Sequence, residues 1–335
     1  MGEATAGLLG GLVVGTNGAY SGKLAINGAS KSVSGSFSTY NDGTNTYGSA
    51  TNKVALAGGA VLLDMTMDAS TNPPYIYGTV SGSNSGAAFT SILLADRAAN
   101  TLPAAQHTML IPPGTNDPPV NSPGGYGYAL ITNTAGSAKA LNVATISGAL
   151  ADGTTFSQTV PVSEDGYVPF YDSLYANKGL LLGWINLELT NTTDVGLTWI
   201  HPKTTSGLYK TGFTNVLPAA QIGLSPWTNS PAALARLTNS LTNLVVSDTT
   251  INSSSLFDVG VEYSKTFTLK ESATGYLSGS VNPKTGLLKV TFGSKAGKTT
   301  NGFGAILQNT TNGGGYFLFP TGGEAGAGAI QLPRP

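Results

Sequence analysis

Charge, cysteine and histidine are all scarce in this 335-residue chain. Lys, Arg, Asp and Glu make up 10% of it, against about a quarter of an ordinary soluble domain. Cysteine is absent, and His107 and His201 are the two histidines. Thiolate nucleophiles, disulfides and metal centres built from Cys and His are thereby excluded. Calcium needs several oxygen ligands from one loop, and the neighbouring acids are too sparse for that pattern and are interpreted as turn-capping residues. We therefore expect neither a cofactor nor a metal ion.

The charges that remain nearly cancel, with a formal net charge of -1. Such a chain has no basic field to attract nucleic acid or an anionic membrane surface. The apolar run at 6–15, AGLLGGLVVG, is far shorter than the ~20 residues of a membrane-spanning helix. Glu3 stands where a secretion signal carries basic residues. We expect no nucleic-acid partner and no membrane insertion.

What the chain has in abundance is glycine, 45 in all, together with serine, threonine and asparagine. This composition, with few Lys and Glu and no Cys, is typical of exported bacterial proteins. We therefore predict an extracellular or cell-surface location.

Apolar and polar residues alternate along the chain, with turn residues about every eight to twelve positions, a pattern typical of antiparallel β proteins. The clearest hairpin joins 19–26 (AYSGKLAI) to 31–38 (KSVSGSFS) through Asn27-Gly28, a dipeptide that supplies the two positive φ angles of a type I′ turn. Asp152-Gly153 predicts another tight hairpin. Ser230 and Pro231 precede AALARL and predict one short helix near 230–238.

The predicted fold is all-β, with antiparallel barrel- or sandwich-like modules built of β-hairpin repeats. A loop rich in Pro, Gly and Asn at 112–125 marks a boundary. The order of tyrosine, Ser-Gly and turn in 20–37 recurs in 275–292, which indicates related hairpin units. We predict an N-terminal module at 1–120, a central module with aromatic loops at 121–243 and a C-terminal module at 244–335.

Four segments carry a wider resemblance. They are 18–37, 147–156 (SGALADGTTF), 171–184 (YDSLYANKGLLLGW) and 303–319 (FGAILQNTTNGGGYFLF). In their order they resemble the β-rich C-terminal repeat regions of large secreted or surface proteins of environmental bacteria, in which G-Y-x-G-x-L is followed by S-G-x-F. The resemblance covers most of residues 18–332. It implies an extracellular, all-β, modular protein and no particular activity.

The sequence contains few of the residue patterns that catalytic sites require. No Gly-x-Ser-x-Gly precedes a helix signal, so a serine hydrolase is not indicated. A glycoside hydrolase needs two carboxylates at a suitable separation. Glu164-Asp165-Gly166 is interpreted as a turn, and Glu188 and Glu262 are interpreted as solvent-facing strand residues. We therefore lean against an enzyme. The acids considered are Glu164, Asp165, Asp172, Glu188 and Glu262.

Aromatic residues are the positive indication of ligand binding. Several cluster in a loop-like stretch at 167–175, and Trp227, within Ser-Pro-Trp-Thr, is expected to be the most exposed tryptophan. Trp184 and Trp199 are assigned to the core. Flat rings with a polar edge suit sugar faces and partner proteins. The predicted ligand-binding residues are Tyr171, Tyr175 and Trp227.

These features favour an extracellular structural or adhesion protein that acts through self-assembly or surface contact, with copies of itself or other surface proteins as partners. One alternative is a glycan-binding module that contacts polysaccharide, and it requires a row of exposed aromatics on one face. The other is a carbohydrate-active enzyme, which requires two acids facing each other across a cleft.

Overall fold

The computed structural model describes residues 5–56, 59–84, 86–114, 121–188, 196–238, 243–248, 253–262, 267–271, 276–293, 299–321 and 324–332. Strands account for 65% of the structure and helix for 3%. All the strand pairs are antiparallel, which confirms the predicted all-β class.

The first eight strands form two sheets that pack face to face. Strands β1, β2 and β3 make one sheet, and β4 to β8 make a five-stranded sheet in sequential order. Val54, Leu63 and Val80 of the larger sheet lie in one core with Tyr20 and Leu24 of the smaller. The strands are β1 (Gly7–Val14), β2 (Ala19–Ile26), β3 (Ala29–Ser36), β4 (Ser38–Asn41), β5 (Thr46–Leu56), β6 (Gly59–Asp68), β7 (Tyr75–Asn84) and β8 (Ala87–Asp96).

The next nine strands form a second pair of sheets, with orders β12-β11-β10-β9-β17 and β13-β14-β15-β16. Their shared core contains Ile131 and Ile146 from one sheet and Leu181 and Trp199 from the other. The strands are β9 (Ala105–Ile111), β10 (Gly127–Thr134), β11 (Val143–Ala149), β12 (Thr155–Pro161), β13 (Tyr167–Leu174), β14 (Gly179–Asn186), β15 (Gly196–His201), β16 (Phe213–Pro218) and β17 (Gly223–Pro226).

The last eight strands close into a barrel, because β18 pairs with β25 as well as with β19. Leu234 and Leu237 of helix α1 (Pro231–Thr238) belong to the same core as Val290 and Ile330 of the barrel strands. The strands are β18 (Asn243–Asp248), β19 (Ser253–Glu262), β20 (Phe267–Glu271), β21 (Tyr276–Val281), β22 (Leu287–Gly293), β23 (Thr299–Leu307), β24 (Asn312–Thr321) and β25 (Glu324–Leu332).

The structure confirms the two hairpin turns and the short helix that the sequence predicts from local motifs. Asn27 and Gly28 have φ of 49° and 67°, as the tight turn between β2 and β3 requires. Gly153, with φ of 88°, turns the chain from β11 into β12. Helix α1 lies where the N-cap pattern placed it, and the Ser230 hydroxyl accepts a hydrogen bond from the Ala233 N–H at 3.2 Å. Within the described residues no helix has the length and apolarity to cross a membrane.

The module boundaries at 120 and 243 stay predictions. By strand pairing alone, β9 belongs with β10 and β17. This second group of strands is bonded to the barrel: the Thr108 hydroxyl on β9 donates to the Ile306 carbonyl at 2.6 Å, and the Gln106 side chain donates to the Lys284 carbonyl at 2.7 Å. The central sheets and the barrel therefore share a bonded junction.

Candidate functional site

The solvent-facing side of the sheet β4 to β8 carries a group of tyrosines. Tyr40 on β4 lies opposite Tyr47 on β5, and Asp68 on β6 lies opposite both Tyr47 and Tyr75. Tyr77 is two residues after Tyr75 on β7. Cross-strand partners and alternate residues of a strand share a face. All four rings therefore lie on one side, which we call the tyrosine face (Tyr40, Tyr47, Tyr75 and Tyr77).

The rings form two contacting pairs. Tyr40 and Tyr47 stack with their centroids 5.2 Å apart and an interplanar angle of 21°. Tyr75 and Tyr77 are 5.6 Å apart at 35°. Tyr40 is 45% exposed and Tyr75 36% exposed. The face thus presents aromatic edges and hydroxyl groups to solvent.

A buried carboxylate lies among these rings. Asp68 stands between Tyr47 and Tyr75, and its Oδ1 accepts hydrogen bonds from the Ser70 N–H at 2.9 Å and the Ser70 hydroxyl at 2.6 Å. Partial burial raises the pKa of Tyr77, and the neighbouring tyrosines and Asp68 raise it further. The Tyr77 hydroxyl is therefore protonated at neutral pH and available as a donor.

Exposed aliphatic side chains continue the tyrosine face. Leu94 on β8 lies opposite Tyr77, and Ile92 lies opposite Thr79. Ile92 is 82% exposed and Leu94 58% exposed, and Leu62 on β6 is also exposed. An outer sheet face normally carries polar residues, so contiguous rings and aliphatic groups here mark a surface suited to contact.

The residues that the sequence analysis predicts to bind a ligand lie outside the tyrosine face. Tyr171 is on strand β13, so the aromatic stretch 167–175 is largely a strand and not the expected loop. The Tyr171 N–H donates to the Gln158 side chain at 2.9 Å, and its side chain is half-buried. Whether Tyr171 contacts a ligand stays a prediction.

The expectation that Trp227 is exposed is wrong. This residue is 6% exposed, and its indole N–H donates to the Pro283 carbonyl at 3.0 Å. Its ring packs against the turn at Gly286, and its backbone N–H donates to the Gln106 carbonyl at 2.7 Å. Trp227 fills the junction between the barrel and the sheet that contains β9 and β17, so it offers no free ring face to a ligand. Trp199 is 1% exposed, as the core assignment requires, whereas Trp184 on β14 is only half-buried.

Tyr175 belongs to a buried polar cluster. Its hydroxyl donates to Asp152 Oδ2 at 2.6 Å and accepts the Trp199 indole N–H at 2.9 Å. The His201 ring lies 4.5 Å from the Tyr175 ring, and His201 Nε2 is 3.8 Å from Asp152 Oδ2. Burial raises the pKa of Tyr175, and Asp152 raises it further. Tyr175 therefore links the turn at Asp152 to Trp199 on β15 instead of standing free.

His201 has the geometry of a neutral, structural imidazole. Its Nδ1 lies 2.8 Å from the Pro202 carbonyl, so Nδ1 carries the proton. Burial lowers the pKa of His201 in spite of the nearby Asp152 carboxylate. Both side chains are almost fully buried. The pair orders the core around Tyr175 and presents no activated nucleophile.

Two of the candidate acids, Glu164 and Asp172, each bond to a group other than a second carboxylate. Glu164 pairs with Arg97 at 3.2 Å, in the turn that the sequence predicts for Glu164 and Asp165. Asp172 lines a shallow cleft of about 370 Å³ beside Tyr175, where its Oδ2 accepts the Ser157 N–H at 2.9 Å.

Two of the acids were expected on strands. Glu188 is exposed as expected but lies in a turn just after β14, so its assignment to a strand is wrong. Glu262 ends β19, and its side chain lies outside the described residues. In the part of the chain that the structure describes, no three His, Asp or Glu side chains form a metal-binding group.

Comparison of the chain with protein-family models, with curated proteins and with solved structures gives no match. The case for function therefore depends on the surface itself. Sequence reasoning missed the tyrosine face, although Tyr75 and Tyr77, spaced two apart in an alternating segment, were a usable signal.

Proposed function

We propose that this chain is an extracellular structural or adhesion protein that acts through surface contact, and that the tyrosine face is its contacting surface. The observation that supports the proposal is the clustering of four tyrosines and neighbouring Ile92 and Leu94 on the outward side of one sheet. Tyrosine is enriched at protein interfaces because it combines a large apolar ring with a polar hydroxyl.

Low charge also supports contact with other copies or other surface proteins. The chain has a net charge of -1, so like surfaces repel one another weakly. Long-range electrostatic steering is correspondingly weak, and binding depends on close packing of rings and aliphatic groups.

A glycan-binding module is the second candidate, and the same face favours it. The rings lie on one side of one sheet, with Asp64, Thr66 and Thr79 around them as hydrogen-bonding groups. Strands β5 and β7 are separated by β6, which places the Tyr47 and Tyr75 positions roughly 10 Å apart. Such spacing allows one extended sugar chain to contact both positions.

The test is binding of the purified chain to an immobilised copy of itself and to immobilised polysaccharides (cellulose, chitin and starch). Whichever probe the unaltered chain binds, the double variant Tyr47→Ala/Tyr77→Ala is expected to bind it at least 10-fold more weakly, because aromatic residues dominate such contacts. Val216→Ala is the matched control, since it removes an exposed apolar side chain from strand β16 of another sheet.

The probe that is bound separates the two candidates. Binding to the copy supports adhesion, and binding to a polysaccharide supports the glycan-binding module. Unchanged binding in the double variant, an equal loss in Val216→Ala, or no binding of the unaltered chain to any probe contradicts the tyrosine face as the contact surface.

A further inference from the structure

The edges of the sheets differ in how well they are protected. An edge strand has unpaired N–H and C=O groups that can pair with another chain. The C-terminal barrel is closed and its described strands leave no edge. The four open sheets therefore supply the edges at which strand addition can occur.

Side chains cover several of these edges. The Asn52 amide on β5 donates to the Ser34 carbonyl of β3 at 2.6 Å. The Gln158 side chain on β12 bonds to the Tyr171 N–H and the Pro169 carbonyl of β13. At the end of the central sheet, the Asn309 amide donates to the Leu224 carbonyl of β17 at 3.2 Å. Strands β3, β13 and β17 are thus partly occupied at their edges.

Other edges are short or irregular. β4 and β17 each have four residues. β16 has six residues and ends at Pro218, which has no N–H to donate. β1 has a register shift between Gly10 and Val13, with Gly11 at φ of 59°. Bulges, proline and short length are all features that discourage pairing with another chain.

β8 has none of these protections. It is ten residues long, AAFTSILLAD, without proline, lysine or a register shift in its pairing with β7. Among the described residues, its backbone hydrogen bonds are those to β7. The Ser91 hydroxyl donates to the Thr5 carbonyl at 2.7 Å, which is a side-chain contact and not a backbone pairing of β8.

We propose that β8 pairs antiparallel with β8 of a second copy of this chain, across a twofold axis near Ile92. This deepens the proposed function and rests on it, because it joins two tyrosine faces into one surface. The pairing places Ile92 opposite Ile92, Thr90 opposite Leu94 and Ala88 opposite Asp96. Outward residues stay on the outward face, and the two Asp96 carboxylates lie at opposite ends of the pair.

A second copy is the favoured occupant because of symmetry and because of the edges that remain. An antiparallel pair of identical strands is twofold symmetric, so β8 is complementary to itself. The free ends of the combined sheet are then the two four-residue β4 strands. Assembly through β8 therefore stops at a dimer and does not continue into a fibre.

The test is the mass of the full chain in solution, measured by light scattering or sedimentation over a range of concentrations. The unaltered chain is expected to be a dimer. Ile92→Lys is expected to raise the dimer dissociation constant at least 10-fold, because the twofold axis would bring two lysines together. Leu62→Lys, on the same face but on the interior strand β6, and Val13→Lys, on the irregular edge strand β1, are the matched controls and should remain dimeric.

Crosslinking gives a second measurement that does not depend on stability. Because the chain lacks cysteine, Ile92→Cys is expected to form a disulfide-linked dimer on mild oxidation, and Leu62→Cys is not. A monomer at all concentrations, assembly beyond a dimer, equal effects of Ile92→Lys and Leu62→Lys, or equal crosslinking by the two cysteine variants would overturn the inference.

Failure of this inference is distinguishable from failure of the proposed function. A monomeric chain that still binds a probe through Tyr47 and Tyr77 refutes β8 pairing alone. A dimer whose probe binding is unaffected by Tyr47→Ala/Tyr77→Ala refutes the tyrosine face alone.

Discussion

At the residue scale, the two histidines share one property although they lie on different strands. His107 on β9 and His201 on β15 are both buried, and burial lowers the pKa of each below the usual value of 6.5. A nitrogen of His107 has no hydrogen-bond partner among the described residues. Neither ring can take up a proton without a cost to the folded state.

We therefore predict that stability decreases from pH 7 to pH 5. Since the unfolded chain binds protons near pH 6.5 and the folded chain binds them only at lower pH, the free energy of unfolding falls as pH drops through that window. The slope is at most about 1.4 kcal/mol per pH unit for each histidine. Urea unfolding at pH 7, 6 and 5 measures it.

The control for this prediction is the double variant His107→Gln/His201→Gln, which should have a flatter dependence whatever its absolute stability. Burial raises the pKa values of Asp96 and Asp172, and these groups act in the opposite sense toward acid. A slope that is identical in the variant and the unaltered chain would show that the histidines are not responsible.

At the scale of the element, close approach of strands explains why glycine occurs inside sheets. Gly183 on β14 has φ of 143°, and a Cβ there would collide with the Gly196 carbonyl oxygen on β15. Gly43, in the turn between β4 and β5, has φ of 97° but open space around it. An added Cβ would therefore cause backbone strain at both positions but a steric collision at Gly183 only.

We predict that Gly183→Ala destabilises the chain by about 3 kcal/mol or more, since strain and displacement of β15 add. Gly43→Ala should cost about 1 kcal/mol, the strain term by itself. Chemical denaturation of both variants measures the difference. Equal losses would mean that β14 and β15 can separate without penalty.

At the scale of the whole molecule, Trp227 holds the central sheet against the barrel. Its backbone bonds to Gln106 on β9, its indole N–H bonds to Pro283, and its ring contacts Gly286. Residues that are distant in sequence thus meet at one side chain, whose loss would leave a cavity at the junction.

We predict that Trp227→Ala costs about 3–5 kcal/mol of unfolding free energy, as expected for removal of a large buried ring. Trp227→Phe keeps most of the packing and loses one hydrogen bond, so it should cost less. Denaturation and limited proteolysis measure the effect, with Val13→Ala, an exposed site, as the control. A loss in Trp227→Ala no larger than in that control would contradict the anchoring role.

Sequence alone was sufficient for the all-β class, the turns at Asn27-Gly28 and Asp152-Gly153, and the single short α-helix among the described residues. These features depend on neighbours in the chain: alternation sets strands, and a dipeptide or an N-cap sets a turn or a helix start. The same local patterns could not say which strands lie side by side.

Tertiary structure decided the rest. The tyrosine face exists because β4 to β7 pair in a register that brings Tyr40, Tyr47, Tyr75 and Tyr77 to one side, and a shift of one residue would reverse a strand's face. Trp227 is buried because a turn more than fifty residues later in the chain covers it. Local sequence determines what each strand can present, whereas long-range pairing determines which side chains meet and which remain exposed.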